Sequence, residues 1–264
     1  GAEVLQDAIA MSKIKAMVDS GNVSWDLVAG GRYDSARYCG QYFEELDTSK
    51  IDTSKIPDGL IRDKCGLPDI VFGNLLVYNA DTYGDKPPMS WADFFDVENF
   101  PGKRGLNMAP DAEPGVIEAA LLADGVAPDE MYPIDFDRAF EKLESIQDHI
   151  VPWTSGAQSQ QQLESGEVDM AWVWSGRGYG AAEAGVPIKP VWSDNWLVAI
   201  DTLNIPKNAP DVEASHAMIN YYLGAEQTAT LTELTSYSPV NVEAKPEVSP
   251  ALQEWVITPE LLDK

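Results

Sequence analysis

The sequence predicts an α/β protein built on open sheets that carry helices on both faces. Short apolar segments typical of buried strands alternate along the chain with longer segments whose apolar residues recur at helical spacing. The 264 residues are enough for one large domain or for two lobes. Hydrophobic residues make up 44% of the chain and charged residues 23%, a balance typical of globular proteins.

Helices and strands are expected in alternation from the N-terminus onward. Pro114 lies near the start of one predicted helix. Proline has no backbone N–H, and at this position of a helix the N–H would have no partner within the helix. In another, Phe136, Phe140, Leu143 and Ile146 lie near one face, which indicates an amphipathic helix. The predicted helices are 6–20, 113–124, 135–150, 159–167, 211–223 and 225–235. The predicted strands are 25–31, 69–79 and 168–174.

The charge of the chain excludes some partners. Eighteen Lys and Arg residues stand against 43 Asp and Glu residues, which gives a net charge of −25. Nucleic acid and anionic membrane surfaces would repel such a protein, whereas a cationic ligand would be attracted. Solubility or a salty habitat explains the charge equally well. The sequence contains no run of eighteen apolar residues, so no membrane-spanning segment is expected.

Two cysteines, Cys39 and Cys65, lack the spacing of a metal site. We expect them to form a disulfide, which would require an oxidising compartment. Free thiols are the alternative. A catalytic cysteine would need a histidine base nearby in the folded protein. The distance along the sequence between the cysteines and the histidines does not decide whether they meet.

Familiar catalytic motifs are missing from the sequence: GxSxG, the P-loop, HExxH and GxGxxG. A hydrolase remains the alternative from another class, and His149 or His216 would then supply its base. Both histidines lie in charged helical segments typical of a solvated surface. We therefore expect neither an enzyme nor a bound metal or cofactor.

Several segments, in this order, resemble the extracellular solute-binding proteins of ABC importers, in particular the spermidine/putrescine-type branch. They are AMVDSGNVSWDLV, LDTSKI, SWADFFDVENFPGKRG, DAEPGVIEAALLADGVAPDEMYPIDFDRAFEKLESI, SGAQSQQQLESGEVDMAWVWSGR, IDTLNIPKNAPDVEASHAMINYYL and LTELTSYSPVN. The resemblance implies a two-lobed periplasmic-binding-protein fold with a ligand cleft between the lobes. It places residues 1–79 and 202–264 in lobe 1 and residues 80–201 in lobe 2, with crossovers at VYNAD and AIDTLNIP. The chain begins at what resembles the family's first helix, so we expect the first strand of lobe 1 to be absent.

The resemblance also implies a binding function without a catalysed reaction. The protein would be a monomer that captures a small cationic solute, such as a polyamine, and delivers it to an ABC permease. It would work in the periplasm or tethered outside the cell, and no signal sequence is present in this chain. A receptor sensor domain is a further alternative on the same fold.

Ligand-binding residues follow from the resemblance position by position. Trp174 matches a cleft tryptophan followed by a turn at Ser175–Gly176, although its ring could instead belong to the core. Asp201 matches the carboxylate that binds a ligand amine. The full set of expected ligand-binding residues is Tyr33, Trp174, Asp201, Tyr237, Arg177 and the acidic pair Asp111 and Glu113.

Some positions depart from the polyamine-binding pattern. Ala199 stands where polyamine binders commonly have a second tryptophan, and Trp196 is the residue that could supply that ring instead. Arg177 and Arg32 suit a carboxylated ligand better than a diamine, so an amino-acid-like, opine-like or zwitterionic solute is the alternative. We further expect the glycines at 176 and 178 to hold a loop close to the ligand.

Overall fold

The computed structural model describes residues 11–109, 114–192, 196–258 and 261. It divides the chain into two compact units. Unit 1 comprises Gly1–Val71, Ala199–Leu234 and Ser238–Glu247. Unit 2 comprises Phe72–Val198, Thr235–Tyr237 and Val248–Lys264.

Helices and strands alternate through both units, which confirms the predicted α/β class. The helices are α1 (Met11–Ser20), α2 (Arg32–Tyr38), α3 (Ala80–Tyr83), α4 (Trp91–Phe95), α5 (Val116–Ala123), α6 (Phe136–Glu144), α7 (Gly156–Glu164), α8 (Ser175–Glu183), α9 (Val212–Tyr222), α10 (Ala225–Thr235) and α11 (Pro250–Gln253). The strands are β1 (Val28–Gly31), β2 (Gly66–Asn79), β3 (Arg104–Asn107), β4 (Ile150–Trp153), β5 (Met170–Trp174), β6 (Ile188–Val191), β7 (Leu197–Asn204) and β8 (Ser238–Pro239). Within the described ranges, no helix has the length and apolar character needed to cross a bilayer.

Unit 1 is organised around β7 and its neighbours. β1 pairs antiparallel with β7, from Val28 opposite Asn204 to Gly31 opposite Asp201. The first part of β2 pairs antiparallel with β8. α1 contributes Ile14 to the core, where it is fully buried.

In unit 2, β5 has buried side chains on both of its faces. Met170 and Trp172 join one hydrophobic cluster, which includes residues of α4, α5 and α6. Ala171 and Val173, pointing the other way, join a second cluster with residues of α7 and α8. Helices therefore cover both faces of the strand, which is why its sequence is almost continuously apolar.

The amphipathic segment 135–150 forms a shorter helix than expected. α6 ends at Glu144, and its buried residue is Ala139. Phe136 and Phe140 are 55% and 51% exposed and stack on each other, with ring centroids 6.3 Å apart. Ile146 is buried, but it lies beyond the helix end. The segment 135–150 is therefore not one helix throughout, and Phe136 and Phe140 lie on the exposed part of α6.

One unit boundary lies before the crossover expected at VYNAD (77–81), and another falls at the start of the crossover expected at AIDTLNIP (199–206). The chain passes between units at 71/72 and at 198/199, inside β2 and β7. The segment from residue 248 belongs to unit 2, although the sequence predicted it in the first lobe. The reason is the Trp255 ring, which lies 6.5 Å from the ring of Tyr179 and packs beside Gly178 of α8.

The predicted disulfide between Cys39 and Cys65 is present in unit 1. Asp63 lies close to both sulfur atoms, but the oxidised sulfurs exclude a thiolate metal site there. We expect thiol titration of the unfolded, unreduced protein to detect no free thiol, and titration after reduction to detect two. Two thiols before reduction would contradict the disulfide.

Candidate functional site

The stretch WVWSGRGYG runs from β5 directly into α8. Ser175 and Gly176 form the first turn of this helix, so the expected turn at these residues is wrong. A Cβ at Gly176 would lie 2.6 Å from ring atoms of Tyr237 and 2.7 Å from the carbonyl oxygen of Thr235. Gly178 likewise faces the ring of Trp255. The prediction that these glycines hold a loop near a ligand is therefore also wrong, because their missing side chains make room for protein packing.

The two tryptophans of the stretch have different surroundings. Trp172 is fully buried and stacks on Trp153, with ring centroids 5.8 Å apart. Trp174 is partly exposed and meets Trp153 edge-on at 5.6 Å. The buried Nε1 of Trp174 has no hydrogen-bond partner among the described residues. Trp172 is therefore a core residue, whereas Trp174 is only partly buried.

Arg177 lies beside Trp174 in the first turn of α8. Both side chains contact Gly156, the first residue of α7, since a Cβ there would lie 2.6 Å from Arg177 Nε and 2.7 Å from Trp174 Cζ3. Arg177 Nε is buried and has no acceptor within the described part of the chain. A glycine at 156 is thus required for α7 to begin against this pair.

Tyr237 also reaches the start of α8. Its ring lies over Gly176 and 5.2 Å from the ring of Phe72. Unit 2 therefore brings Trp174, Arg177 and Tyr237 to one helix end. The other expected residues of this lobe, Asp111 and Glu113, lie outside the described residues.

In unit 1, Asp201 lies in β7 opposite Gly31 of β1. Its Oδ1 is buried and has no hydrogen-bond partner among the described residues. Burial raises the pKa of this carboxyl to about 6. A buried carboxylate without a compensating partner is costly, and such groups are concentrated at functional sites.

A second carboxyl, Asp69 of β2, interacts electrostatically with Asp201 and was not identified from the sequence. Asp69 is 3% exposed, and its Oδ1 accepts a hydrogen bond from the backbone N–H of Ile70 at 3.0 Å. Burial and then the charge of Asp201 raise the pKa of Asp69 well above its ordinary value. Burial and the same two carboxyls raise the pKa of Tyr222 on α9. An aspartate inside the apolar run LPDIVFG is the signal that could have revealed this group.

Tyr33 lies on α2 in unit 1 and is 54% exposed. It lines an open surface pocket of about 580 Å³ together with Ala36 and three arginines. These arginines are Arg32, Arg37 and Arg62. The guanidinium of Arg32 lies 5.9 Å from the centroid of the Tyr33 ring. The surroundings of Tyr33 are therefore basic.

Trp196 does not offer a free ring. Its side chain is buried, its ring packs 5.1 Å from Trp192, and its Nε1 donates a hydrogen bond to the carbonyl oxygen of Leu261. The suggestion that Trp196 replaces the second tryptophan of polyamine binders is thus not supported.

His216 is 3% exposed, so its predicted surface position is wrong. Nε2 accepts a hydrogen bond from the backbone N–H of Asp47, and Nδ1 lies 2.7 Å from the carbonyl oxygen of Val212. Nδ1 of His149 lies 3.1 Å from the carbonyl oxygen of Gly102. Because both nitrogens of His216 are occupied by backbone groups, this ring has no free position for general-base chemistry.

We expect Trp174→Ala to weaken solute binding about 10-fold, equivalent to about 1.4 kcal/mol, through the loss of apolar contact. Trp174→Phe, which keeps a ring, is the matched control and should lose less. Calorimetric titration of both variants measures the effect. Unchanged affinity with a lower melting temperature in Trp174→Ala would show that the ring only fills the core.

The comparisons with known proteins agree on one protein family. Bacterial extracellular solute-binding proteins match residues 3–260. The gamma-aminobutyric acid-binding protein of Pseudomonas aeruginosa is 33% identical over 238 residues, 88% of this chain and 66% of that protein. Spermidine/putrescine-binding periplasmic protein 1 of Haemophilus influenzae is 29% identical over 243 residues, 89% of this chain and 66% of that protein.

Among solved structures, one described as a GABA receptor superposes with a TM-score of 0.79 at 38% identity, covering 91% of this chain and 74% of that chain. These proteins are named for the solutes they bind and not for a reaction. The comparisons confirm the resemblance and the fold class that it implied. The chain spans 66% of the length of the two curated relatives.

Proposed function

Because the chain belongs to the bacterial extracellular solute-binding protein family, we propose that it is the solute-binding component of an ABC importer. It captures one small solute, as a monomer in the periplasm or tethered outside the cell, and presents it to a membrane permease. The solute carries an ammonium group and a carboxylate, as 4-aminobutyrate does.

The observation that carries this proposal is the opposite chemistry of the unsatisfied groups in the two units. Among the described residues of unit 1, the buried side-chain group without a partner is an acceptor, the Oδ1 of Asp201. Near the start of α8 in unit 2 the unsatisfied groups include two donors, Trp174 Nε1 and Arg177 Nε, together with one acceptor, the Oδ1 of Asn74, which lies opposite Trp174. An ammonium is the ligand group that suits the Oδ1 of Asp201, and a carboxylate is the group that suits the donors of Trp174 and Arg177. Buried polar groups in native proteins are nearly always hydrogen-bonded, so the orphan groups of Asp201 and Arg177 support a ligand at these places, although core residues such as Trp172 carry orphan groups as well.

A polyamine is the second candidate. The buried carboxyls Asp69 and Asp201 suit a cation, and six of the curated relatives are named for binding spermidine and putrescine or putrescine alone. A polyamine carries no carboxylate, however, and would leave the buried donor of Arg177 unsatisfied. Two of the relatives are named for 4-aminobutyrate, which supplies both groups. These observations favour the zwitterion.

Four ligands of equal chain length separate the candidates: 4-aminobutyrate, putrescine, butanoate and n-butylamine. We expect 4-aminobutyrate to raise the melting temperature most and to bind most tightly in calorimetric titration. At 100 times its Kd a ligand stabilises the folded protein by about 2.7 kcal/mol. If putrescine bound as tightly as 4-aminobutyrate, the hypothesis of a zwitterionic solute would be rejected. Binding by none of the four would reject the proposed class of solute.

A further inference from the structure

The pocket beside Tyr33 gathers three arginines within unit 1. It has a volume of about 580 Å³, and Arg32, Arg37 and Arg62 line it together with Tyr33 and Ala36. Arg32 and Ala36 lie four residues apart on α2, as do Tyr33 and Arg37, so these side chains share one face of the helix. Arg62 comes from the segment that precedes β2. The pocket is therefore built from two separate segments of the chain.

Two links hold these segments together. The disulfide joins Cys39, directly after α2, to Cys65, directly before β2. Ser35, a buried residue of α2, donates a hydrogen bond of 2.9 Å from its Oγ to the Oδ1 of Asp63. Each segment is thus anchored within a few residues of its arginines. A frame that is already fixed lowers the entropy cost of binding a ligand between the two segments.

The positive charge of this pocket is not balanced by the part of the chain that the structure describes. None of the three arginines makes a salt bridge with a described residue, although acidic residues outnumber basic ones by 43 to 18. The guanidinium of Arg32 instead lies 5.9 Å from the ring centroid of Tyr33, and that of Arg37 lies 5.3 Å from the ring centroid of Tyr38. Like charges gathered in one place repel each other, so the pocket disfavours an ammonium and favours an anion.

We propose that Arg32, Arg37 and Arg62 form an anion-binding site in unit 1, which takes a small oxyanion with two or more negative charges. A planar guanidinium donates paired hydrogen bonds to a carboxylate or a phosphate, so three of them bind several oxygens of one anion. The hydroxyl of Tyr33 supplies a further donor in the lining. The volume lies within the range of small-molecule pockets, about 300–1,000 Å³. This site goes beyond the proposed function, because it uses none of the groups that were assigned there to the solute.

Calorimetric titration with tricarballylate, inorganic phosphate and acetate, all at one ionic strength, tests the site. We expect saturable 1:1 binding of a multivalent anion, and the tighter of the first two identifies the preferred oxyanion as a carboxylate or a phosphate. Acetate should bind at least about 10-fold more weakly, because it occupies one guanidinium only. Acetate binding as tightly as tricarballylate and phosphate would show that the arginines act singly, which would overturn the proposal. Absence of saturable binding of both multivalent anions would overturn it as well.

Arg37→Gln and Arg62→Gln should each weaken this binding about 10-fold, which corresponds to about 1.4 kcal/mol. Both arginines are exposed, so the empty variants should melt close to the wild-type temperature. The matched control is Lys55→Gln, which removes one positive charge from the same unit at a lysine already paired with Glu243 at 2.5 Å. An equal loss in Lys55→Gln would indicate general charge attraction in place of a site.

Titration of the wild-type protein with 4-aminobutyrate keeps this site and the proposed function apart. Saturable anion binding without binding of 4-aminobutyrate would reject the proposed solute and leave the arginine site in place. Binding of 4-aminobutyrate without binding of either multivalent anion would reject the arginine site alone.

Discussion

Replacing Asp201 with Asn should weaken binding of 4-aminobutyrate at least about 100-fold at pH 7.5. The carboxylate is buried, has no counter-ion among the described residues, and would be the anionic partner of the ligand ammonium. Removing one member of a buried, hydrogen-bonded charge pair costs about 2–5 kcal/mol, and 100-fold corresponds to about 2.7 kcal/mol. Asp58→Asn, an exposed change in the same unit, is the control and should leave Kd unchanged.

The same residue predicts how affinity depends on pH. Ligand ammonium binds the ionised form of Asp201, and burial raises the pKa of this carboxyl to about 6. Affinity should therefore be constant above pH 7 and fall about 10-fold per unit well below pH 6. Calorimetric titration from pH 5 to 8 measures this profile. A flat profile across the whole range would contradict the assignment of Asp201 to the amine.

Loss of binding in Asp201→Asn should be accompanied by higher stability of the empty protein. The folded-state pKa of Asp201 lies above the ordinary value of 3.8, so its ionisation opposes folding. Its contribution to stability is fully present below the ordinary pKa and is lost as pH rises through about 6. At pH 8 the Asn variant should be more stable by roughly 2–3 kcal/mol. Lower stability together with weaker binding would mean that Asp201 is structural.

Local sequence patterns predicted most of the secondary structure. The apolar run 168–174 anticipated β5, and the helical spacing in 211–223 and 225–235 anticipated α9 and α10. These elements were predictable because burial on a strand or a helix leaves a short-range periodic trace. Helix 135–150 failed because periodicity identifies a face but not what covers it: Phe136 and Phe140 stack on each other instead of entering the core.

The candidate site was less predictable because its parts become related only through packing. Trp174 and Asp201 were identified by resemblance and not by any local pattern. Gly156 has no distinctive context in the sequence, and its role depends on Trp174 and Arg177, which are distant in the chain. The glycines of α8 were misread for the same reason, since the ring facing Gly176 belongs to Tyr237. Asp69 was missed because it lies in a strand whose other residues fit the pattern of a buried apolar strand.

Arg177→Gln should weaken 4-aminobutyrate binding about 100-fold and leave putrescine binding nearly unchanged. The buried Nε of Arg177 has no acceptor among the described residues and lies near Gly156, as does the six-membered ring of Trp174, so a ligand carboxylate that reached this Nε would gain charge-assisted hydrogen bonds. Glutamine keeps polarity and removes the charge. The matched control is Arg138→Gln in the same unit, whose guanidinium already pairs with Asp124 at 2.6 Å and should not affect either ligand. Calorimetric titration of both variants with both ligands separates the outcomes. Equal losses for 4-aminobutyrate and putrescine would show that Arg177 supports the fold, whereas no loss for either would place the carboxylate elsewhere.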